Sequence, residues 1–333
     1  MLIESYEKPL INKNQINKKG TVTKEYIEIN GARQGLIIES LNQGKPLLLF
    51  LHGGPGFPVY PVNKANGTKF EQLFDVCYWD QRGAGMSYEK KEAKNPLTVE
   101  QMVEDTIQVV NYLRKKYSQD KIYLIGHSWG TYLGSIVASK RPELFYAYIG
   151  VGQIGSQKDS EKETYDYILK TAMDRNDKRA IKQIEKVNFD ENYYKNHSYA
   201  VIRKKFTEKY GGGFKRDGYS FIETLKDIFS CPNYTFKERM NILSGSYYSY
   251  QSLAYAMSTI DLLKLVPTLN LPVFILQGLH DYLTTHAQAK RFYESIESPY
   301  KEMYTFENSS HTPFIEEHEL FYKIMRDNVL GAM

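Results

Sequence analysis

The sequence predicts an α/β chain in which a mainly parallel central sheet is flanked by helices and interrupted by an inserted helical segment. Three observations carry that reading. Short apolar runs alternate with stretches of helical period towards both ends of the chain, the pattern of parallel strands joined by crossover helices. Between those ends, from about residue 153 to 265, helical signals dominate and tyrosine is frequent. Finally, the apolar run Ile122 to Ile125 meets Gly126-His127-Ser128-Trp129-Gly130, with a helix-like stretch after it. At 333 residues the chain suits one α/β domain carrying an insertion. The expected division is a core over 1–152 and 266–333 and a helical cap over 153–265, with residues 1–20 as a polar N-terminal extension.

The elements follow in order. Val22 to Ile29 alternates, Asn30-Gly31 marks a turn, and Gly35 to Glu39 alternates again, which predicts a hairpin. Pro46 to Leu51 is apolar on both faces, as a central strand covered by helices on both sides must be. Phe74 to Trp79 reads as the next strand. Thr98 and Gln101 are spaced as a capping box, and Val103, Ile107, Val110 and Arg114 follow at helical spacing. Tyr146 to Val151 is a further strand. In the insertion, Ser160 and Glu163 are spaced as a second capping box ahead of Tyr165, Ile168, Leu169 and Met173, and Gly211-Gly212-Gly213 reads as a hinge or flexible loop. Strand pattern returns at Pro272 to Gly278 and at Met303 to Phe306. Helices are expected from about Thr285 and from Glu316 onward.

Chemistry concentrates at strand ends. In Gly126-His127-Ser128-Trp129-Gly130 the turn is too tight for flanking side chains, so Gly126 and Gly130 let strand and helix cross. Ser128 is then a nucleophile at a helix N-terminus, where N–H groups favour a developing oxyanion. After the strand ending at Leu51 comes His52-Gly53-Gly54-Pro55-Gly56, a loop dense enough in glycine for close approach to a ligand. The oxyanion hole is assigned to the backbone N–H groups of Gly54 and Trp129. A serine needs a base, and the base an acid to orient it. With the chain order Ser, then Asp, then His, the expected partners are Asp281 and His311, each just beyond a strand end. Glu307 is the weaker substitute for the acid. Asp80 and Arg82 are expected to pair as ions and shape the pocket floor. The insertion's tyrosines suit a cap over a substrate pocket, most of them through packing.

Composition excludes several other classes. Net charge is +4 with basic residues scattered, unlike the stripe of a nucleic-acid binder. The two cysteines, Cys77 and Cys231, sit in unrelated contexts, so free thiols and no metal site are expected. No apolar run is long enough to span a bilayer, and the N-terminus has no signal-peptide pattern. A soluble, cytoplasmic protein with no cofactor is the expectation; oligomeric state is left open.

Taken together, His52-Gly-Gly-Pro-Gly56, Asp80-Gln-Arg-Gly-Ala-Gly-Met-Ser87, Gly126-His-Ser-Trp-Gly130, Asp281 and His311 resemble the proline iminopeptidase family of α/β-hydrolases, the S33 serine peptidases. The resemblance covers roughly residues 20 to 152 and 266 to 330. It implies an α/β-hydrolase fold with a helical cap, no cofactor, and release of an N-terminal residue, often proline, from short peptides. The cap departs from the family pattern. The W-x-x-W-E and E-x-H-Y-F settings that carry the family's amine-binding glutamates are missing, and both tryptophans, Trp79 and Trp129, lie in the core. Glu161, Glu163, Glu223, Asp227 and Glu238 are the carboxylates available instead. The primary expectation is an aminopeptidase acting on short peptides or amino-acid amides. A carboxylesterase on small acyl esters is the nearest alternative, and a non-catalytic ligand-binding protein on the same fold is the third. Epoxide and haloalkane hydrolases use Asp where Ser128 stands.

Overall fold

The computed structural model describes residues 20–331 apart from 92, 94, 188, 191 and 192; the expected N-terminal extension lies outside the described residues except for Gly20. The first half of the chain runs β1 (Thr21–Ile29), β2 (Ala32–Ser40), β3 (Leu47–Leu51), α1 (Tyr60–Ala65), β4 (Asp75–Asp80), α2 (Val99–Tyr117), β5 (Ile122–His127), α3 (Trp129–Lys140) and β6 (Phe145–Val151). Then come α4 (Gln157–Asp174), α5 (Lys178–Glu185), α6 (His197–Tyr210), α7 (Phe221–Ser230), α8 (Phe236–Ser258) and α9 (Leu262–Leu265). The sheet resumes with β7 (Val273–Gly278), α10 (His286–Ser295) and β8 (Lys301–Phe306), and the chain closes with α11 (Pro313–Glu316) and α12 (His318–Ile324).

The strands form one sheet in the order β1-β2-β4-β3-β5-β6-β7-β8. The β1–β2 and β2–β4 pairs are antiparallel, and every later pair is parallel. Ile29 pairs with Ala32, so the hairpin turn is the two residues Asn30 and Gly31, both at positive φ (47° and 72°), as a type I′ turn requires. In β3 the side chains divide between the two faces. Leu47, Leu49 and Leu51 enter one core layer with α2 and α3, while Leu48 and Phe50 enter the other with α1, α11 and α12. All five side chains are buried, and each such side chain withdrawn from water contributes about 1.5–3 kcal/mol. That is why the strand is apolar at every position.

The insertion between β6 and β7 is not one block. Helices α4 to α6 share a small core of their own, in which Ile168, Ala172, Ile184 and Phe206 pack together. Ile228, Tyr234 and Ile242 of the α7–α8 region, by contrast, join one layer of the main core. Two local expectations change here. Helix α4 starts earlier than the Ser160–Glu163 spacing predicts: Ser156 is the N-cap, accepting from the N–H of Asp159. Ser160 is one turn inside, where its hydroxyl accepts from the Thr285 N–H at 3.1 Å. The hinge expected at residues 211–213 is a packed segment instead. Gly211 is the left-handed C-cap of α6, the Gly212 carbonyl accepts from Tyr282 N–H at 3.1 Å, and the Gly213 carbonyl accepts from the Ser310 hydroxyl at 2.6 Å.

The β5–α3 crossing gives the fold its tightest contact. A Cβ on Gly126 would lie 2.4 Å from the Gly130 carbonyl oxygen, and one on Gly130 would lie 2.0 Å from that of Leu51. Both contacts are with backbone, which cannot rotate aside. Gly130→Ala is therefore expected to lower stability by about 1–3 kcal/mol or more, read as an earlier urea midpoint at unchanged m-value. An unchanged midpoint would show that the crossing has slack.

Candidate active site

The sharp turn after β5 fixes Ser128 at φ 56° and ψ −121°, a conformation that costs a non-glycine residue energy and is held by its surroundings. The Ser128 N–H donates to the Val151 carbonyl at 3.0 Å, while its side chain does not cap α3. Trp129 is the first residue of that helix, so its N–H has no partner within it. Across the cavity entrance, Gly54 sits at φ +117°, a backbone angle that excludes a β-carbon. Gly56 serves a different purpose from ligand approach: a Cβ there would meet Ser249 of α8 at 2.4 Å, and its carbonyl accepts from Ser246 at 2.8 Å.

Asp281 and His311 meet beyond the ends of β7 and β8. Asp281 Oδ2 accepts from His311 Nδ1 at 2.8 Å. The same oxygen accepts from Gln277 Nε2 at 2.9 Å and Thr284 Oγ1 at 3.0 Å, and Oδ1 accepts from the N–H groups of Leu283 (2.8 Å) and Thr284 (2.9 Å). Burial pushes this carboxyl up, but the His311 charge and hydrogen bond, with the two amides, outweigh it and hold the group below its usual range. Glu307 has no part in this pair. The His311 loop is itself tied down: Glu316 accepts from the N–H groups of Ser310 (3.0 Å) and Thr312 (3.3 Å), and Glu317 from Asn308 N–H and the Ser309 hydroxyl.

The motif histidines are structural and neutral. His52 Nε2 accepts from the Gln81 N–H at 3.1 Å, so Nδ1 carries the proton and donates to the Gly53 carbonyl at 3.0 Å. Burial pushes it down to about 4. His127 donates from Nε2 to the His311 carbonyl at 3.0 Å. Burial and then the neighbouring His311 push it down to about 3. Gln81 joins the two halves of the site, donating to the His52 carbonyl at 2.9 Å and accepting from Trp129 Nε1 at 3.2 Å.

The expected Asp80–Arg82 ion pair does not form. Arg82 turns to α2 and pairs with Asp105 (Nε–Oδ2 2.5 Å), also donating to the Ile29 and Asn30 carbonyls. Those acceptors satisfy the guanidinium on the side of the sheet away from Asp80. Asp80 accepts instead from Tyr234 Oη at 2.7 Å and the Met86 N–H at 2.8 Å. With burial dominating, its carboxyl is pushed up to about 7.

Ser128, Gly53, Gly54 and His311 line a cavity of about 720 Å³ whose far wall is built by the insertion. Tyr193, Tyr194, Tyr199, Tyr219 and Tyr250 face it. Of the five carboxylates weighed from sequence, Glu161 alone reaches the cavity. Glu223 and Glu238 close capping boxes at the starts of α7 and α8, Glu163 bonds to Thr285 and Gln288, and Asp227 bonds to Tyr219 and Asn66. Glu208, not considered from sequence, also lines the cavity, as do Gln157 and Arg203. Nothing in the local pattern of α4 or α6 marks these residues; only the packing of the two helices over Ser128 brings them there. No helix among the described residues is long and apolar enough to cross a membrane.

With sheet, elbow and cavity in place, comparison with known proteins gives the class. The chain matches the model of the α/β hydrolase fold over residues 46–318 and belongs to that family. Within it, the chain is a hydrolase of the proline iminopeptidase-like kind. It is 32% identical over 304 residues to a probable aminopeptidase, YbaC, of Bacillus subtilis, covering 91% of this chain and 95% of that one. It is 26% identical over 316 residues to a proline iminopeptidase of Clostridioides difficile, covering 92% and 97%. A solved proline iminopeptidase of Mycobacterium smegmatis shares the fold at TM-score 0.62 and 17% identity, covering 90% and 95% of the two chains.

The Asp80 environment makes a pH prediction. An acid whose folded pKa is raised binds more protons in the folded than in the unfolded state between about 4 and 7, so it lowers stability as pH rises through that window. Asp80→Asn removes that dependence. Unfolding free energies measured from pH 4 to 7 are expected to shift in favour of the variant, relative to wild type, as pH rises. A constant difference would mean that Asp80 is ionised throughout.

Proposed function

We propose that the protein is a serine hydrolase that works through Ser128, His311 and Asp281, and that it is an aminopeptidase releasing N-terminal residues from short peptides or amino-acid amides. The observation that carries the mechanism is the buried His311–Asp281 hydrogen bond of 2.8 Å beside the cavity that Ser128 also lines. In this reading Ser128 Oγ attacks the scissile carbonyl while His311 takes its proton. Asp281 holds the imidazole with Nδ1 protonated, so that Nε2 is the base, and stabilises the imidazolium that forms. The N–H groups of Gly54 and Trp129 receive the oxyanion. His311 then protonates the leaving amine, and water, activated by the same imidazole, releases the acyl group.

The preference for a free amino group draws on Gln157 and Glu161. Gln157 donates from Nε2 to Glu161 Oε1 at 3.0 Å, which fixes its amide, and its Oε1 is buried without a hydrogen-bond partner among the described residues. A buried acceptor in this state calls for a donor, and an α-amino group supplies one. The relatives named as aminopeptidases support the same choice. Esterase activity remains the second reading because Glu161 already holds Arg203 and Tyr199, which leaves little net charge for an ammonium group.

Initial rates on proline and alanine aryl amides, their N-acetylated forms and short-chain aryl esters decide the matter. Ser128→Ala is expected to cut turnover at least about a thousandfold and Asp281→Asn about ten-thousandfold. Free-amine amides are expected to be cleaved at least about tenfold faster than acetylated ones, with Glu161→Gln narrowing the gap. Retained activity in Ser128→Ala would sink the mechanism. Ester turnover indifferent to acetylation would assign the protein as an esterase.

A further inference from the structure

The charged groups in the cavity wall are unequally satisfied. Glu161 accepts from Gln157 at 3.0 Å and Tyr199 at 2.8 Å and pairs with Arg203 Nε at 2.6 Å. Glu208 accepts from the backbone N–H groups of Phe214 (3.1 Å) and Tyr219 (3.4 Å). Both carboxylates are thus engaged within the protein. The cations beside them are only partly engaged. Arg203 Nε pairs with Glu161 at 2.6 Å as an ion without making a hydrogen bond, Nη2 donates to the Leu283 carbonyl at 3.0 Å, and Nη1 has no hydrogen-bond partner among the described residues. Lys204, next in the chain and exposed on the same wall, has no carboxylate partner among the described residues; its Nζ lies 5.8 Å from the centre of the Phe221 ring.

A guanidinium held by one hydrogen bond and one close ion pair is restrained before a ligand arrives, so part of the cost of ordering its remaining donors is already met. Tyrosine and phenylalanine rings contribute to the walls, and partial exclusion of water strengthens a charged hydrogen bond. One such donor, backed by a second cation, matches a singly charged planar anion. We propose that Arg203 and Lys204 form a subsite for a substrate carboxylate, the free C-terminus of a di- or tripeptide, and so restrict the enzyme to short, unblocked peptides. The subsite rests on the peptidase reading above and adds to it a second point of recognition, for the carboxylate of a substrate short enough to bring both its ends to neighbouring groups of one wall, Arg203 beside the Gln157–Glu161 pair. A cavity of about 720 Å³ is of the size that encloses a small molecule of this class.

The test is a set of matched dipeptides, Pro-Ala and Ala-Ala, each as the free acid and as the C-terminal carboxamide, with release of the first residue followed by chromatography. For the wild type, KM for the free acids is expected to be about tenfold below that for the amides, the worth of a charge-assisted hydrogen bond, with kcat alike. Lys204→Gln is expected to reduce that ratio to about threefold and Arg203→Gln to about one. Since Arg203→Gln strips Glu161 of its counter-ion and can fail to fold, the charge-balanced double variant Glu161→Gln/Arg203→Gln is measured beside it, with the same ratio near one expected. Equal KM for acid and amide in the wild type, or a tenfold ratio that survives in Lys204→Gln and the double variant, overturns the subsite while leaving the peptidase reading intact. Cleavage of aryl esters with no cleavage of either peptide form overturns both.

Discussion

One buried carboxylate sets the terms for the half of this structure that holds the candidate active site. Asp281 is 1% exposed, and a charge so placed is tolerable only if it is fully bonded. Gln277, Leu283, Thr284 and His311 supply the donors. Each of them is constrained in turn. Gln277, the penultimate residue of β7, also bridges to the Gln153 N–H beyond β6. Leu283 and Thr284 are forced into the turn that brings their amides to one oxygen. His311 is positioned because its loop is pinned by Glu316 and Glu317. The loops after three adjacent strands are thus coupled through a single ionised group.

The insertion takes part in the same coupling. Tyr282, directly after the acid, donates to the Gly212 carbonyl, and its own carbonyl accepts from Thr164 of α4 at 2.9 Å. The Tyr282 ring stacks on Tyr167 at 3.5 Å. Arg203 of α6 holds the Leu283 carbonyl. On the histidine side, Ser310 donates to Gly213, Thr312 to Phe214 at 2.9 Å, and the Arg216 N–H to Glu316 at 2.5 Å. The polar groups of these loops find their partners in the insertion rather than in solvent, which is what a loop under a covering layer requires.

The fold, and the meeting of Asp281 with His311 beside the cavity that Ser128 lines, were legible in the sequence because each depends on local pattern. Alternating and continuous apolar runs identify strands, and the Gly126–Gly130 spacing identifies a crossing that backbone sterics enforce. Asp281 and His311 stand out because their place just beyond strand ends limits the choice. Less could be read where the determining contact is distant. Asp80 and Arg82 are two residues apart and of opposite charge, yet Asp105, Ile29 and Asn30 draw the arginine elsewhere. Ser160 and Glu163 have capping-box spacing, but Ser156 lies one turn earlier and takes the cap. The polar cluster of Gln157, Glu161 and Arg203 joins residues more than forty positions apart on two helices, and no periodicity encodes such a meeting.

The packed glycines at 211–213 bear on how such a protein can be re-engineered. A covering layer is usually treated as an exchangeable module, to be traded between relatives when a new substrate range is wanted. Here the Gly212 and Gly213 carbonyls are the acceptors for Tyr282 and Ser310, so removing the layer strips bonds from the loops that carry Asp281 and His311. A graft would have to preserve the Gly211–Gly213 strip and the faces of α4 and α6 that touch it. The cavity-facing positions of α7 and α8 carry no such bonds to the Asp281 and His311 loops, but Ser246 of α8 holds the Gly56 carbonyl of the loop that contains Gly54. Variation that spares Ser246 leaves all three loops with their bonds.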